Sequence, residues 1–294
     1  MGQYDGLLRP MLAVSRRSPF DSPDYLFEPK WDGYRCLVYV NDRVSFISRN
    51  GLDMTEKYGR RLKLSCHIEG REVVLDGELL ALDASGTPSF NLLKRLGGRM
   101  VYAAFDILRK GGADVMDRPL LERKRMLSET VIPGGDVFIT DGVREQGTAA
   151  YEAAVSLGLE GIVAKHVASP YLPGIRSPYW IKIRHTKTLD AVIVGYSVRD
   201  GQVTSVALGL PRPSGEVEYI GSVGAGIGAE QSAHILKTVS GLAAASQNGV
   251  FHVRPEVVCE VSYLEFTDSG RLRQPVFKRL RADKTVRDLG DGQQ

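Results

Sequence analysis

One lysine in the sequence, Lys30, has neighbours that suit a nucleophile. It lies in EPKWDGYRCL (residues 28–37), between Pro29 and Trp31. A lysine must be neutral to attack an electrophile, and desolvation and nearby cations favour the neutral form. Pro29 and Trp31 would shield it from water, although a lysine before Asp-Gly is also common as an exposed turn residue. The segment therefore predicts either a plain turn or a reactive amine.

Two further cations fit chemistry on phosphate. Lys182 and Arg184 alternate in WIKIR (180–184), which places both on one face of a strand. If that face meets Lys30, the two cations favour its neutral form and hold the phosphates that it attacks. Arginine cannot act as a proton donor, so Lys182 must supply any acid that is needed there.

Two carboxylates occur in apolar strand contexts, Glu78 in LDGELLAL and Glu160 in EGIVAKH. Alone, such a carboxylate is more often structural. Together with a phosphate-handling lysine, the pair predicts ligands for Mg²⁺, which takes oxygen ligands and substrate phosphates. Phe105, in AAFDIL, is on pattern alone typical of a core residue.

The composition is that of a globular protein with 294 residues, enough for one large domain or two ordinary ones. No apolar run approaches the ~18–20 residues of a membrane span, and the first residues contain no apolar signal-peptide core. We therefore expect no membrane partner. Cys36, Cys66 and Cys259 are scattered and form no C-x-x-C, which argues against a disulfide framework and favours a reduced cytoplasmic setting.

Net charge is only +3, but basic residues concentrate in 269–287. That segment contains Arg271, Arg273, Lys278, Arg279, Arg281, Lys284 and Arg287, with Asp283 as its single acid. Charge alone leaves two interpretations open, a solvated terminal helix or tail and a strip that contacts phosphates.

The apolar pattern predicts an α+β protein with mostly antiparallel sheets, followed by a small β-barrel of the oligonucleotide-binding (OB) kind. Strands are predicted at 35–50 (a hairpin), 73–82, 100–108, 161–167, 179–184, 191–210 (a meander with a turn at Asp200-Gly201) and 256–266. Helices are predicted at roughly 54–65, 90–96, 119–131, 148–157 and 229–243. A boundary near 186–190 gives domains 1–187 and 188–294.

Seven segments in order resemble the six collinear motifs, plus one extra, of covalent nucleotidyltransferases. They are EPKWDGYR (28–35), SRNG (48–51), LDGEL (75–79), FDIL (105–108), EGIVAK (160–165), WIKIR (180–184) and RADK (281–284). With the opening LRPMLA (8–13), the chain more closely resembles the ATP-dependent DNA ligases of bacteria, in particular the ligase module of ligase D and the stand-alone ligase C enzymes. The resemblance covers about residues 7–287 and implies an adenylyltransferase domain followed by an OB-fold domain.

The resemblance implies a role for each matching residue around the nucleotide. Lys30 would be the nucleophile that becomes linked to AMP. Glu28 would accept a hydrogen bond from the adenine amino group, and Phe105 would stack on the base. Glu78 would face the ribose and a metal ion, and Glu160 would bind the metal.

Phosphate contacts are implied for Arg35, Arg49, Lys182 and Arg184, the last of which stands where the family often has lysine. Arg281, Asp283 and Lys284 would close over ATP and orient the leaving pyrophosphate. Arg271 and Arg273 fall outside that motif and are candidates for contacts with DNA phosphates.

The implied activity is an ATP-dependent DNA ligase that seals 5′-phosphate/3′-hydroxyl nicks through lysyl-AMP and adenylylated DNA, with ATP and Mg²⁺ (or Mn²⁺). Its partner would be nicked double-stranded DNA, with polymerase, end-binding or nuclease repair partners on other chains. We expect a cytoplasmic monomer that associates with the nucleoid when on DNA. We also expect no helical DNA-binding domain before the catalytic domain, so that these two domains or a partner hold the DNA.

Two alternatives stay open. An RNA ligase or a capping-type guanylyltransferase shares the lysine motif, although Glu28, SRNG and LRPMLA favour ATP and DNA. A non-enzymatic OB-fold oligonucleotide-binding protein would keep the barrel and the basic segment, but it would not need Lys30, Glu78, Glu160 and Lys182 together. An NAD-dependent ligase is disfavoured because the zinc cysteines and the length for its extra domains are lacking.

Overall fold

The computed structural model describes residues 8–247, 249–267 and 269–289. Backbone proximity divides the chain into two units, Met1–His185 (unit 1) and Thr186–Gln294 (unit 2). Both units are built mostly of strands, and helices connect or cover them. The predicted α+β class with mostly antiparallel sheets is confirmed.

Most apolar runs of unit 1 form strands. In chain order they are Leu12–Arg16 (β1), Ser22–Pro29 (β2), Tyr34–Val40 (β3), Val44–Ser48 (β4), Val73–Leu82 (β5), Arg99–Lys110 (β6), Ala113–Asp114 (β7), Val137–Ile139 (β8), Val143–Glu145 (β9), Gly161–His166 (β10) and Arg176–Arg184 (β11). Its helices are Phe90–Lys94 (α1), Leu120–Thr130 (α2) and Gly147–Ser156 (α3). In the described ranges of the whole chain, no helix has the length and apolar character to cross a membrane.

These strands form two sheets. The first sheet has the order β1-β11-β10-β2-β9, and only its β1–β11 pair is parallel. The second sheet has the order β4-β3-β5-β6-β7, with β8 added parallel to β6. The largest core of unit 1 packs on the second sheet and is closed by α1, α2 and the segment between β4 and β5.

Cross-strand rows in the first sheet bring distant motifs together. Glu28 pairs with Val163, which also pairs with Lys182, so these three residues form one row across β2, β10 and β11. Lys165 and Trp180 form the next row on the same face, because side chains alternate along each strand. Three segments far apart in sequence therefore share one face of the sheet.

The predicted helix at 54–65 is wrong. The structure has two short 3₁₀ turns there, Gly59–Arg61 and Leu64–His67. Met54, Tyr58 and Leu62 follow helical spacing, yet packing overrides the pattern: a Cβ on Gly59 would lie only 2.5 Å from the Phe46 ring. The backbone at Gly59 must lie flat against that ring, which a regular helix with side chains at every position does not allow.

The described residues of unit 2 form an antiparallel seven-stranded sheet and one α-helix. Its elements are Lys187–Arg199 (β12), Gln202–Pro211 (β13), Val217–Val223 (β14), Ala229–Val239 (α4), Ala243–Gln247 (β15), Val250–Val253 (β16), Val258–Tyr263 (β17) and Val276–Leu280 (β18). The long β12 pairs with β13 along one side and with β17 and then β16 along the other. One strand thus joins all parts of the sheet.

The predicted turn at Asp200-Gly201 is confirmed. Both residues have positive φ, 50° and 73°, which is the requirement of a tight two-residue hairpin between β12 and β13. The predicted helix at 229–243 ends earlier, at Val239, and its last residues belong to a 3₁₀ turn and β15. The helical interpretation of 269–287 is wrong, because that segment contains β18 and turns.

A buried ion pair fixes α2 to the second sheet. Arg123 donates from Nε and Nη2 to the two carboxylate oxygens of Asp106 on β6, at 2.8 and 2.9 Å, and both side chains are fully buried. Arg123 also donates to the carbonyl of Ser169 at 2.8 Å. With both partners present, every charge is satisfied; with one removed, the other stays buried without its counter-charge.

We predict that Arg123→Met destabilises the protein by about 3–5 kcal/mol, since Asp106 would keep a buried negative charge without its partner. The neighbouring Arg125 is exposed and pairs with Glu129 on the helix surface. Arg125→Met should change stability by no more than about 0.5 kcal/mol. Chemical denaturation followed by circular dichroism measures both changes, and equal losses in the two variants would contradict the anchoring role of Arg123.

Candidate active site

A cavity in unit 1 is lined by residues from both sheets. Its lining includes eight of the residues that the sequence predicts for the site: Glu28, Lys30, Arg35, Arg49, Glu78, Phe105, Lys182 and Arg184. Leu12, Ala13, Pro29, Trp31, Val163, Lys165, Arg176 and Trp180 complete it. Glu160, the ninth residue predicted for unit 1, contacts the cavity residues Lys30 and Arg184.

Lys30 stands at the point where β2 leaves the first sheet. Its backbone N–H donates to the carbonyl of Gly161 at 2.9 Å, and its ammonium forms an ion pair with Glu160. The other oxygen of Glu160 lies 3.0 Å from Arg184 Nε. The sequence predicted that cations surround Lys30; the structure adds a buried carboxylate in direct contact with it.

Gly161 is required for this approach. Its φ is +130°, and a Cβ there would lie 2.1 Å from the carbonyl oxygen of Ile183. A side chain at this position would push β10 from β11 and separate Glu160 from Arg184. The Glu-Gly pair of EGIVAK thus has a steric cause.

At the aromatic end of the cavity, one carboxylate lies between two lysines. Glu28 is 2.8 Å from Lys124 Nζ through Oε1 and 2.5 Å from Lys165 Nζ through Oε2. The Lys165 ammonium also lies 4.2 and 4.3 Å from the ring centres of Phe105 and Trp180. Burial lowers the pKa of Lys165, and Glu28 opposes that shift.

Arg35 reaches the cavity as the partner of a buried acid. It donates to both oxygens of Asp76, from Nε at 3.0 Å and from Nη2 at 2.6 Å. Tyr171 donates its hydroxyl to Asp76 at 2.7 Å. Burial opposes the charge of Arg35, but Asp76 outweighs it and the pKa of Arg35 rises above its ordinary value.

Burial shifts the pKa values of two residues near Lys30, Glu78 and Lys182. Burial raises the pKa of Glu78 to about 8, although Lys30 and Arg35 act in the opposite direction. Burial also lowers the pKa of Lys182, with further contributions from Arg184, Arg176, Lys30 and Arg49. A carboxylate that readily holds a proton and a lysine that readily gives one therefore line the same cavity.

The final motif forms a separate cluster within unit 2. Arg281 and Lys284 both contact Asp190 on β12, at 3.0 and 2.6 Å. Arg281 also pairs with Asp283 at 2.7 Å, which holds the pKa of Asp283 well below its usual range. These three predicted residues are thus held by one another and by an acid, Asp190, that the sequence did not single out.

Three other basic residues of 269–287 are paired or stacked. Arg273 lies 2.7 Å from Glu265 and Arg279 lies 2.8 Å from Glu260. Arg271 stacks over the exposed ring of Tyr219, 4.3 Å from its centre. The basic segment is therefore less positive at the surface than its sequence implies.

Sequence reasoning missed several residues of the site. Asp76, Lys165 and Trp180 stand inside quoted motifs, so their positions were visible although their roles were not. Lys124 stands in the polar helix sequence LLERKRML, which is typical of a solvated face. Asp190 is the first acid of unit 2 and has no sequence signal, because its partners lie 91 and 94 positions away.

Family models match most of the chain. The ATP dependent DNA ligase domain matches residues 10–184, and the ATP dependent DNA ligase C terminal region matches residues 199–284. The chain belongs to the ATP-dependent DNA ligase family. The resemblance inferred from the seven motifs is confirmed, and so is the adenylyltransferase and OB-fold architecture that it implied.

Among relatives of this ligase, the multifunctional non-homologous end joining protein LigD of Mycolicibacterium smegmatis is 35% identical over 94% of this chain and 38% of that protein. The SPbeta prophage-derived DNA ligase-like protein LigB of Bacillus subtilis is 30% identical over 92% of this chain and 98% of LigB. A mycobacterial DNA ligase D structure, complexed with ATP and MES, has a TM-score of 0.57 at 32% identity, covering 96% of this chain and 98% of that one. The chain spans about two fifths of the length of the LigD relatives.

The raised pKa of Glu78 predicts a pH-dependent stability. Because its pKa rises from 4.5 to about 8 on folding, the folded state holds the extra proton between these values, and stability falls as pH rises through that window. We predict that Glu78→Gln removes this loss, which at about 1.4 kcal/mol per pKa unit is on the order of 5 kcal/mol. Thermal unfolding without divalent metal, from about pH 4.5 to about pH 8, measures how the stability of the variant and of the wild type changes with pH. The exposed Glu152→Gln should follow the wild type, and a Glu78→Gln curve parallel to the wild type would contradict the prediction.

Proposed function

We propose that this chain seals 5′-phosphate/3′-hydroxyl nicks in duplex DNA through a lysyl-AMP intermediate formed on Lys30. The observation that carries the proposal is the position of Lys30, in ion contact with Glu160 inside a cavity that Arg49, Lys182 and Arg184 also reach. An amine, an acceptor for its proton and three cations for phosphates are the groups that nucleotidyl transfer requires. We also propose residues 1–187 as the adenylyltransferase domain and 188–294 as the OB-fold domain.

In the first step, the Lys30 ammonium gives a proton to Glu160, its ion-pair partner, and the neutral amine attacks the α-phosphorus of ATP. A P–N bond forms, the P–O bond to pyrophosphate breaks, and the nitrogen gives its second proton to water. Lys182 and Arg184 balance the charge that develops on the phosphate oxygens. Because the pKa of Lys182 is lowered, this lysine is the better proton donor to the leaving pyrophosphate, and the neighbouring Arg184 stays charged.

In the second step, the AMP moves to the 5′-phosphate of the nick and Lys30 is released. In the third step, the 3′-hydroxyl attacks that phosphate, the backbone closes and AMP leaves. The chain contributes positioning and charge in both steps, as phosphoryl transfer generally requires. Arg49, at the edge of the cavity, is the cation we assign to the nick phosphate.

The carboxylates near Lys30 fit a magnesium ion that is shared with substrate. Glu78 and Glu160 both interact electrostatically with Lys30, and carboxylate oxygens together with ATP phosphates form the ligand set that Mg²⁺ prefers. In the described ranges no group of three or more His, Cys, Asp and Glu side chains is arranged to hold a metal alone. A bound Mg²⁺ (or Mn²⁺) would neutralise charge on the triphosphate.

The aromatic end of the cavity is proposed to bind adenine. Phe105 offers a ring face for stacking, and Glu28 offers a carboxylate that accepts from the 6-amino group. Guanine presents an acceptor at that position, which a carboxylate disfavours, so the site supports ATP over GTP and a ligase over a capping enzyme.

The remaining partners follow from the relatives. LigD proteins are named for non-homologous end joining, so we infer a role in DNA break repair, with nicked duplex as substrate and polymerase, end-binding or nuclease partners on other chains. Arg271 and Arg273 are proposed to contact DNA phosphates, although Arg273 must then share its charge with Glu265. We propose that the enzyme works as a cytoplasmic monomer and joins the nucleoid when on DNA.

We predict that incubation with α-labelled ATP and Mg²⁺ labels the wild type on Lys30 and leaves Lys30→Ala at background, because the variant has no amine at that position. Mass mapping of the labelled peptide identifies the residue. Lys94→Ala, an exposed lysine on α1, is the matched control and should label normally. Label of normal stoichiometry on Lys30→Ala would overturn the proposed function.

We predict that Asp283→Ala and Lys284→Ala slow the first step but spare the later ones. These residues are assigned to the departure of pyrophosphate, and a protein already loaded with AMP has completed that departure. Pre-adenylylated variants should therefore seal a nick once at a rate close to wild type, while the unloaded variants label slowly with ATP. Single-turnover sealing beside ATP-dependent labelling makes the comparison, and equal defects in both assays would refute the assignment.

A further inference from the structure

Lys124 on α2 connects the two sheets of unit 1 at the base-reading carboxylate. Its ammonium donates to Glu28 Oε1 at 2.8 Å and to the carbonyl of Thr140 at 2.5 Å. Glu28 belongs to β2 of the first sheet, whereas Thr140 follows β8 and donates its N–H to Ala104 on β6 of the second sheet at 2.7 Å. One side chain thus bridges the strands on both sides of the cavity.

The same contact extends to the segment of the nucleophile. The hydroxyl of Thr140 accepts a hydrogen bond from the indole Nε1 of Trp31, at 3.0 Å. Trp31 directly follows Lys30. Thr140 therefore accepts one hydrogen bond from Lys124 at its carbonyl and another, at its hydroxyl, from the residue next to the nucleophile. Lys124 and Trp31 therefore hold one residue from two directions.

Glu28 needs this bridge because it is almost completely buried. Its side chain is 2% exposed, and Lys124 is 13% exposed. A buried carboxylate remains charged and keeps one orientation only if donors replace the water that it has lost. Lys165 forms an ion pair with Oε2, and Lys124 supplies the hydrogen-bond donor to Oε1. Without Lys124, one oxygen of Glu28 has lost its donor and the carboxylate is free to turn.

We propose that Lys124 is a positioning residue for nucleotide choice: it fixes the plane of the Glu28 carboxylate so that the carboxylate accepts from the 6-amino group of the purine. The residues that line the cavity, within the described part of unit 1, do not include Lys124. It therefore acts through Glu28 and does not touch the nucleotide. The proposal rests on the proposed function, because it concerns the base of the nucleotide that Lys30 attacks.

The neighbours of Lys124 separate this role from a structural one. Arg123 anchors α2 through Asp106, so the helix keeps its attachment when Lys124 changes. Arg125 pairs with Glu129 on the exposed side of α2 and has no contact with Glu28 among its described interactions. Three consecutive cations on one helix thus have three different tasks, and each can be changed alone.

The test compares the rates of lysyl-nucleotide formation with ATP and with ITP, which carries a 6-keto oxygen in place of the amino group. In the wild type, ATP should be strongly preferred. In Lys124→Met, the ATP/ITP ratio of kcat/KM should fall about tenfold, the effect of one weakened charge-assisted hydrogen bond. Lys124→Arg should restore most of the ratio, and Arg125→Met should leave it unchanged. The ratio is measured within one variant, so partial unfolding cannot mimic the result.

A double-mutant cycle then shows whether Lys124 acts through Glu28. If it does, Glu28→Gln with Lys124→Met loses no more ATP preference than Glu28→Gln alone. If Lys124→Met lowers kcat/KM for ATP and for ITP by the same factor, the proposal is overturned and Lys124 is a structural residue. Additive losses in the cycle would overturn it as well. Absence of label in the wild type with any nucleotide overturns the proposed function too, whereas normal label with an unchanged ratio overturns this proposal alone.

Discussion

The antiparallel pairing of β2 with β10 is the constraint on which the site depends. It places Glu28 beside Val163 and lets the backbone of Lys30 bond to Gly161, one residue after Glu160. Side chains alternate along a strand, so a shift of one residue in this pairing would turn Glu28 away from the cavity. A single ladder of backbone hydrogen bonds thus positions both Glu28 and Lys30, the residues to which we assign the base and the phosphate chemistry.

Three of the acids near the cavity, Glu28, Asp76 and Glu160, are placed where they neutralise cations that arrive from other elements. Glu160 faces Lys30 and Arg184, Asp76 faces Arg35, and Glu28 faces two lysines. Burying such charges is costly unless both signs are present, so the acids are what allows the cations to lie close together. Substrate phosphates then meet an array that is already in position, which reduces the reorganisation needed for reaction.

Most strands and the residues around the unit 1 cavity could be predicted from the sequence, because apolar runs and short motifs are local patterns. Apolar runs such as 73–82 became strands with the same bounds, and seven ordered motifs indicated the family. The segment 54–65 failed because its helical spacing competes with the Phe46 ring, 13 residues before Gly59. Lys124 and Asp190 could not be predicted, since the oppositely charged partners of each lie more than 90 positions away and nothing in the local sequence differs from a solvated charge.

Asp190 is a built-in anionic partner for the cations of the final motif, RADK (281–284). Arg281 and Lys284 already bind this carboxylate, so any phosphate that reaches them exchanges with it and does not meet bare cations. The net affinity of the pair for phosphate is then its affinity for phosphate minus its affinity for the Asp190 carboxylate. That difference is small even when each contact is strong. Such a residue pair releases a phosphate as readily as it binds one, which suits the role in the first step that we propose for the final motif.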